Sequence, residues 1–120
     1  DKQTFLIASS LCNIGKLTLS KDILEKTAEL DIYEIEKIKT YPYYTKKILQ
    51  NIIGFSDISS WASKIQERLD SSGYIQALGA KDLTLKDRLL QSLYAYNAIR
   101  QNKAYRDAFS HEEAIEILKY

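Results

Sequence analysis

Apolar residues recur at three- and four-residue intervals along this chain, and no segment sustains the two-residue alternation of a half-buried strand. Phe5 to Leu11 reads as the end of a buried helix, stopped at Asn13 and Gly15, where a positive φ costs little. Ser20 can cap a short helix through Asp22, Ile23, Leu24 and Ala28, and Asp31 with Glu34 three residues later opens the next. Pro42 suits the first turn of a helix whose Ile48, Leu49, Ile52 and Ile53 run to Gly54, and Ser56 or Asp57 starts the one after. Thr84 with Asp87 opens the longest helix, carrying Leu85, Leu89, Leu90, Leu93, Ala95 and Ala98. Ser110 and Glu113 form a capping box for the last, through Ala114, Ile115, Ile117 and Leu118. The pattern predicts an all-α bundle of about six helices.

Between the longer helices, Leu69 to Leu83 (LDSSGYIQALGAKDL) is too polar for a core helix and holds two of the four glycines. It predicts an exposed loop with a turn at Ser72-Gly73. No repeat, low-complexity stretch or linker divides the chain, so residues 1–120 read as one domain. The formal charge of +1, from 17 basic and 16 acidic residues, disfavours nucleic acid or an anionic membrane as partner. One cysteine forms no internal disulfide, no signal-peptide pattern opens the chain, and no apolar run approaches the roughly 20 residues that span a bilayer. A cytoplasmic setting is expected.

Candidate chemistry is sparse. Cys12 sits in an apolar helix with no histidine near it, which suits a buried core residue better than a nucleophile. His111, the single histidine, falls in the first turn of the last helix and reads as a surface or capping residue. Glu67 and Asp70 are three apart and would share an exposed helix face, a spacing that admits an acid/base pair and is commonplace without one. No Walker loop, dinucleotide fingerprint or Ser-His-Asp set is present. Nine tyrosines stand out, with Tyr41, Tyr43 and Tyr44 flanking Pro42, and Tyr94 and Tyr96 on the longest helix.

Four blocks resemble one family in order and spacing. LIASSLCNIGKLTLSKDIL, IKTYPYYTKKIL, IQERLDSSGYI and LTLKDRLLQSLYAYNAIRQNKAYRDAFSHEEAIEIL are similar to the successive motifs of the HD-GYP domains. The resemblance implies an HD-domain-like helical bundle in which histidines and aspartates hold two or three metal ions for phosphodiester hydrolysis, usually of cyclic di-GMP. At the positions where the family carries those ligands this chain has Cys12, Asn13, Tyr41, Ile65, Gln66 and Tyr94. An amide is a weak neutral ligand and isoleucine is none, so neither a metal nor another cofactor is expected. Gly15, Glu67, Asp70, Gly73, Tyr74, Arg88, Ala98, Tyr105 and Arg106 match the family, with structural roles in turns, an arginine–carboxylate pair and packing.

Lys16 matches a lysine that the resemblance places at a substrate phosphate, where an ammonium without metals could still hold a phosphate. Tyr41 and Tyr94 would fill the space left by ligands and ions, the alternative being an aromatic patch that stacks a guanine or a partner side chain beside Arg100, Lys103 and Arg106. The family's bundle has further helices before this point, which suggests a fragment of a longer signalling protein with Phe5, Leu6 and Ile7 partly uncovered. A dimer or an interdomain contact is therefore expected. The resulting expectation is a degenerate, inactive domain acting as an interaction or regulatory module in bacterial signalling, with another signalling domain or a second copy as partner and Asp70, Gly73 and Tyr74 as contact loop. Two alternatives stay open: a receptor that holds cyclic di-GMP or another nucleotide uncleaved, and a residual metal-dependent phosphodiesterase.

Overall fold

A computed structural model describes residues 2–103 and 106–119. In chain order they form α1 (Lys2–Leu11), a 3-10 helix (Ile14–Thr18), α2 (Lys21–Leu24), α3 (Ile32–Ile38), α4 (Tyr41–Leu49), α5 (Ser56–Ala62), α6 (Leu85–Ile99) and α7 (His111–Leu118). Among the described residues no strand forms, only isolated bridges between Asp70 and Gly79 and between Lys103 and Arg106. The domain is all-α: six helices have seven residues or more, and α2 is a single turn. No helix among them is long and apolar enough to cross a membrane. Tyr105 lies outside the described residues.

The caps read from sequence form where their partners are local. Asp31 and Glu34, Thr84 and Asp87, and Ser110 and Glu113 make complete capping boxes at α3, α6 and α7, each satisfying two otherwise orphaned amides. Ser20 caps α2 through the Ile23 amide, but that helix ends at Leu24 and does not reach Ala28. Helix α4 likewise stops at Leu49, short of the predicted Gly54. Ile52 then turns back to the Leu49 carbonyl, Gly54 takes φ +86°, and Ile53 is 100% exposed.

Helix α4 packs on the 3-10 helix and α5, α1 packs on α5, and α6 bridges α5 and α7. The core at their junction comprises Ala8, Cys12, Leu19, Tyr41, Leu49, Ile58, Ala62, Ile65 and Leu90. Burying each larger aliphatic there contributes about 1.5–3 kcal/mol. Leu6 is exposed, while Phe5 and Ile7 pack partly buried on the core's edge.

Gly15 corrects the expectation of a positive-φ helix stop, because the only glycine with positive φ is Gly54. A Cβ at Gly15 would collide with the Tyr41 carbonyl, and the Gly15 amide donates to Thr45 Oγ1 at 2.9 Å. The glycine is needed for close approach of the 3-10 helix to the start of α4. Thr45, fully buried, also donates to the Cys12 carbonyl at 3.3 Å.

The segment 69–83 is more firmly held than an open loop. The Ala80 amide donates to the Leu69 carbonyl and the Tyr74 amide to the Gln66 carbonyl, each at 3.0 Å. Left-handed backbone falls at Ser71 and Ala77, not at Gly73. Gly73 instead lies against the backbone of Gln66 and Glu67, where a Cβ would not fit. Glu67 and Asp70 share no helix face, since α5 ends at Ala62. Glu67 is only 2% exposed, and its two oxygens accept the Gln76 and Leu78 amides, each at 2.8 Å. Asp70 stays at the surface, where hydrogen bonding from the Ser72 hydroxyl first, and then from the Ser72 amide at 3.0 Å, holds its carboxyl below the usual range. Arg88 meets no carboxylate among the described residues; it donates to the Leu83 and Ala80 carbonyls.

Candidate functional site

Four residues far apart in sequence meet where α1, α4 and α6 converge with the segment after α5. Gln66 Nε2 donates to the Tyr41 hydroxyl at 2.8 Å, and that hydroxyl lies 3.3 Å from the Tyr94 hydroxyl. Tyr94 in turn donates to Asn13 Oδ1 at 3.0 Å. The Lys16 ammonium joins the chain at 3.3 Å from the Tyr94 hydroxyl and lies 5.0 Å over the Tyr41 ring. Each element supplies one member: Asn13 follows α1, Lys16 sits in the 3-10 helix, Tyr41 opens α4 and Tyr94 lies in α6.

The network is polar but uncharged except for Lys16. Tyr41 is 1% exposed, and burial, with the neighbouring Tyr94 phenol, pushes its hydroxyl far above the ordinary tyrosine range. It is therefore a neutral phenol at any working pH. Cys12 is buried with its Sγ 3.2 Å from the Ser9 carbonyl, and burial raises its thiol pKa against the opposing pull of Lys16. That environment disfavours the thiolate. Ile65 is wholly inside the core. Beside the network lies a cavity of about 180 Å³ bordered by Asn13, Tyr94, Asn97, Gln101 and Lys103.

The HD domain profile matches residues 1–120. The chain belongs to the HD-domain family. It is similar to 3'3'-cGAMP-specific phosphodiesterase 3 of Vibrio cholerae, 29% identical over 93% of this chain and 24% of that protein. It is also similar to 3'3'-cGAMP-specific phosphodiesterase 1 of the same organism, at 31% over 90% and 25% respectively. Cyclic di-GMP phosphodiesterase PdeB of Borreliella burgdorferi is 32% identical over 91% of this chain and 29% of its own length. The chain thus spans about a quarter of the length of these curated relatives.

Against this HD-domain background, the residues at the junction can be tested for the metal ions that the resemblance implies. Hard divalent cations want anionic oxygens or neutral imidazoles. This HD domain offers two side-chain amide oxygens, that of Asn13 already accepting from Tyr94, together with two phenols, the donating amide nitrogen of Gln66 and an ammonium. Lys16 would repel a cation placed among them. The donor set does not fit a metal ion. Among the described residues no three His, Cys, Asp or Glu side chains gather as a metal-holding group.

Other sequence candidates fall elsewhere. His111 is exposed, with Nδ1 2.7 Å from the Tyr96 hydroxyl. Tyr74 is half-buried, its phenol pKa raised by burial, and the Lys39 ammonium lies 6.0 Å over its ring. Within the segment 69–83, Leu69 and Ile75 are more exposed than Tyr74. Sequence reasoning missed Thr45, the fully buried hydroxyl that ties Gly15 to Cys12, and Asn97, which shares the Tyr94 face of α6 at a three-residue spacing. A polar residue among the apolar positions of α4 was the available signal for Thr45.

Proposed function

We propose that this HD domain has lost phosphodiester hydrolysis and serves as a cytoplasmic interaction or regulatory module in cyclic dinucleotide signalling. One observation carries the reading: Gln66, Tyr41, Tyr94 and Asn13 are joined in a mostly neutral hydrogen-bonded network, with Lys16 at its edge. Cys12, Asn13, Tyr41, Ile65, Gln66 and Tyr94 stand for the metal ligands that the HD-GYP resemblance implies. The two phenols occupy the volume that ions and a bridging water would need. The relatives' names as cyclic dinucleotide phosphodiesterases support the signalling context. What remains for the domain is to present its surface to another signalling domain or a second copy, with Asp70, Gly73 and Tyr74 on one contact loop.

A receptor reading has one observation in its favour, the cavity beside the network, with Lys103 at its border and Lys16 nearby to meet a phosphate. Its volume of about 180 Å³ is below the roughly 300–1,000 Å³ usual for small-molecule pockets, so a cyclic dinucleotide would have to open it. The interaction reading stands first. Incubation with 3'3'-cGAMP and with cyclic di-GMP in excess Mn²⁺ or Fe²⁺, followed by chromatography, tests it. No linear product is expected. Metal-dependent turnover that survives repurification and disappears in Asn13→Ala would overturn it, and saturable binding without turnover, lost in Lys16→Ala, would favour the receptor.

A further inference from the structure

Residues 37–56 carry four lysines, Lys37, Lys39, Lys46 and Lys47, and no aspartate or glutamate, in a chain whose net charge is only +1. On α4, Tyr43, Lys46 and Lys47 share one face at three- and four-residue spacing. Tyr43 is 49% exposed and meets Tyr44 edge-on at 5.2 Å, and the Lys47 ammonium lies 5.7 Å over the Tyr43 ring. A shallow groove beside this face is lined by residues that include Pro42, Tyr43, Lys46, Lys64, Glu67 and Ile75. Of its charged residues, Lys64 pairs with Asp87 at 3.4 Å and Glu67 accepts the Gln76 and Leu78 amides, which leaves Lys46 as its unpaired cation among the described residues. Among the described residues Lys46 and Lys47 make no ion pair.

The complementary pattern occurs in the same chain. Residues 107–118 hold Asp107, Glu112, Glu113 and Glu116 with no lysine or arginine. On α7, Glu112, Ile115 and Glu116 share a face at the same spacing, and Ile115 is 39% exposed. Glu112 makes no ion pair among the described residues, whereas Glu116 holds the Lys119 ammonium at 2.7 Å and would exchange it for the partner's lysine. Helix α7 rests on α6, whereas α4 rests on the 3-10 helix and α5, so the two helices pack on different neighbours.

We infer that the α4 face docks α7 of a second copy of this chain, with Glu112 and Glu116 opposite Lys46 and Lys47 and Ile115 over the Tyr43 groove. This is helix-in-groove recognition with charge setting the register. If each copy offers both faces to the other, the contact closes into a symmetric pair. The inference rests on the reading of the domain as an interaction module and names its partner.

Sedimentation equilibrium over a concentration series tests it. The chain should self-associate, more weakly as salt is raised from about 50 to 500 mM because the facing charges become screened. Lys46→Glu/Lys47→Glu and Glu112→Lys/Glu116→Lys should each raise the dissociation constant about tenfold or more. An equimolar mixture of the two variants should associate again, since every reversed face then meets its complement. The corresponding glutamine variants, which reverse no charge, cover the case in which a reversal unfolds the chain by circular dichroism; they should weaken association in the same direction. A monomeric wild-type chain, variants that associate unchanged, or a mixture that stays monomeric would overturn the inference. So would a monomer that instead binds an oligothymidylate or an acidic vesicle through Lys46 and Lys47. A monomer that shows no hydrolysis sinks this inference alone, whereas turnover in the phosphodiesterase assay sinks the reading beneath it.

Discussion

Gln66 and Glu67 are neighbours in sequence and serve two polar sites built on opposite principles. Gln66 donates to Tyr41 in a network of neutral groups that draws on α4, α6 and the end of α1. Glu67 places a buried carboxylate on the Gln76 and Leu78 amides and so fastens the segment 69–83 to the body of the domain. At the carboxylate site two backbone donors satisfy the buried oxygens. In the other site only the Lys16 ammonium is charged, which leaves nothing to attract a cation. The contrast separates a carboxylate that fastens a loop from a junction whose one cation is an ammonium.

Breaking the carboxylate site should have the largest effect. Glu67→Ala removes two hydrogen bonds to the carboxyl and leaves two amides to find water, so a loss of about 3–6 kcal/mol is expected at roughly 1.5–3 kcal/mol per bond. Hydrogen exchange at Gln76 and Leu78 should speed up in parallel, and unchanged protection there would show that the loop is held by something else.

The neutral network should yield less. Tyr41→Phe deletes its central hydroxyl, leaving Gln66 without its acceptor, at a cost of about 1–2 kcal/mol in denaturant unfolding. The same variant sharpens the comparison through pH. Because Tyr41 has its pKa raised in the fold, its contribution is fully present below the unfolded tyrosine value of about 10 and is lost as pH rises past it. Wild-type stability should therefore fall between about pH 10 and 12 more steeply than that of Tyr41→Phe; equal slopes would contradict the buried neutral phenol.

The smallest effect belongs to the α3 cap, remote from both sites. Glu34 accepts the Lys26 ammonium at 2.7 Å and the Asp31 amide at 2.9 Å, and Lys26, the first of these, is the main cause of its lowered pKa. A depressed carboxyl pKa stabilises above the unfolded value of about 4.3 and is lost as pH falls through the folded one. Acid titration below that point should loosen α3 slightly in wild type and not in Glu34→Gln.

Much of the fold was legible because its signals are local. The capping boxes of α3, α6 and α7 are hydrogen bonds between residues three apart, and the periodicity that feeds them needs no tertiary information. The site residues were legible only as substitutions against a family pattern. Their geometry depends on contacts such as Asn13 with Tyr94, 81 residues away, and Gly15 with Thr45, 30 residues away. No propensity encodes such pairs. Glu67 was misread for the same reason: a helical spacing to Asp70 hid a carboxylate whose partners lie 9 and 11 residues further on. Ile52 and Ile53 continued the apolar period of α4, yet the turn to Gly54 leaves Ile53 in solvent.

The central claim, that the junction of Asn13, Tyr41, Gln66 and Tyr94 holds no catalytic metal, is tested most directly by equilibrium titration of the chain with Mn²⁺, followed by its paramagnetic resonance. The account predicts no saturable binding, because the junction offers amides, phenols and an ammonium joined in one hydrogen-bonded network and no carboxylate or imidazole. Stoichiometric binding that is lost in Asn13→Ala and in Tyr94→Phe would contradict it.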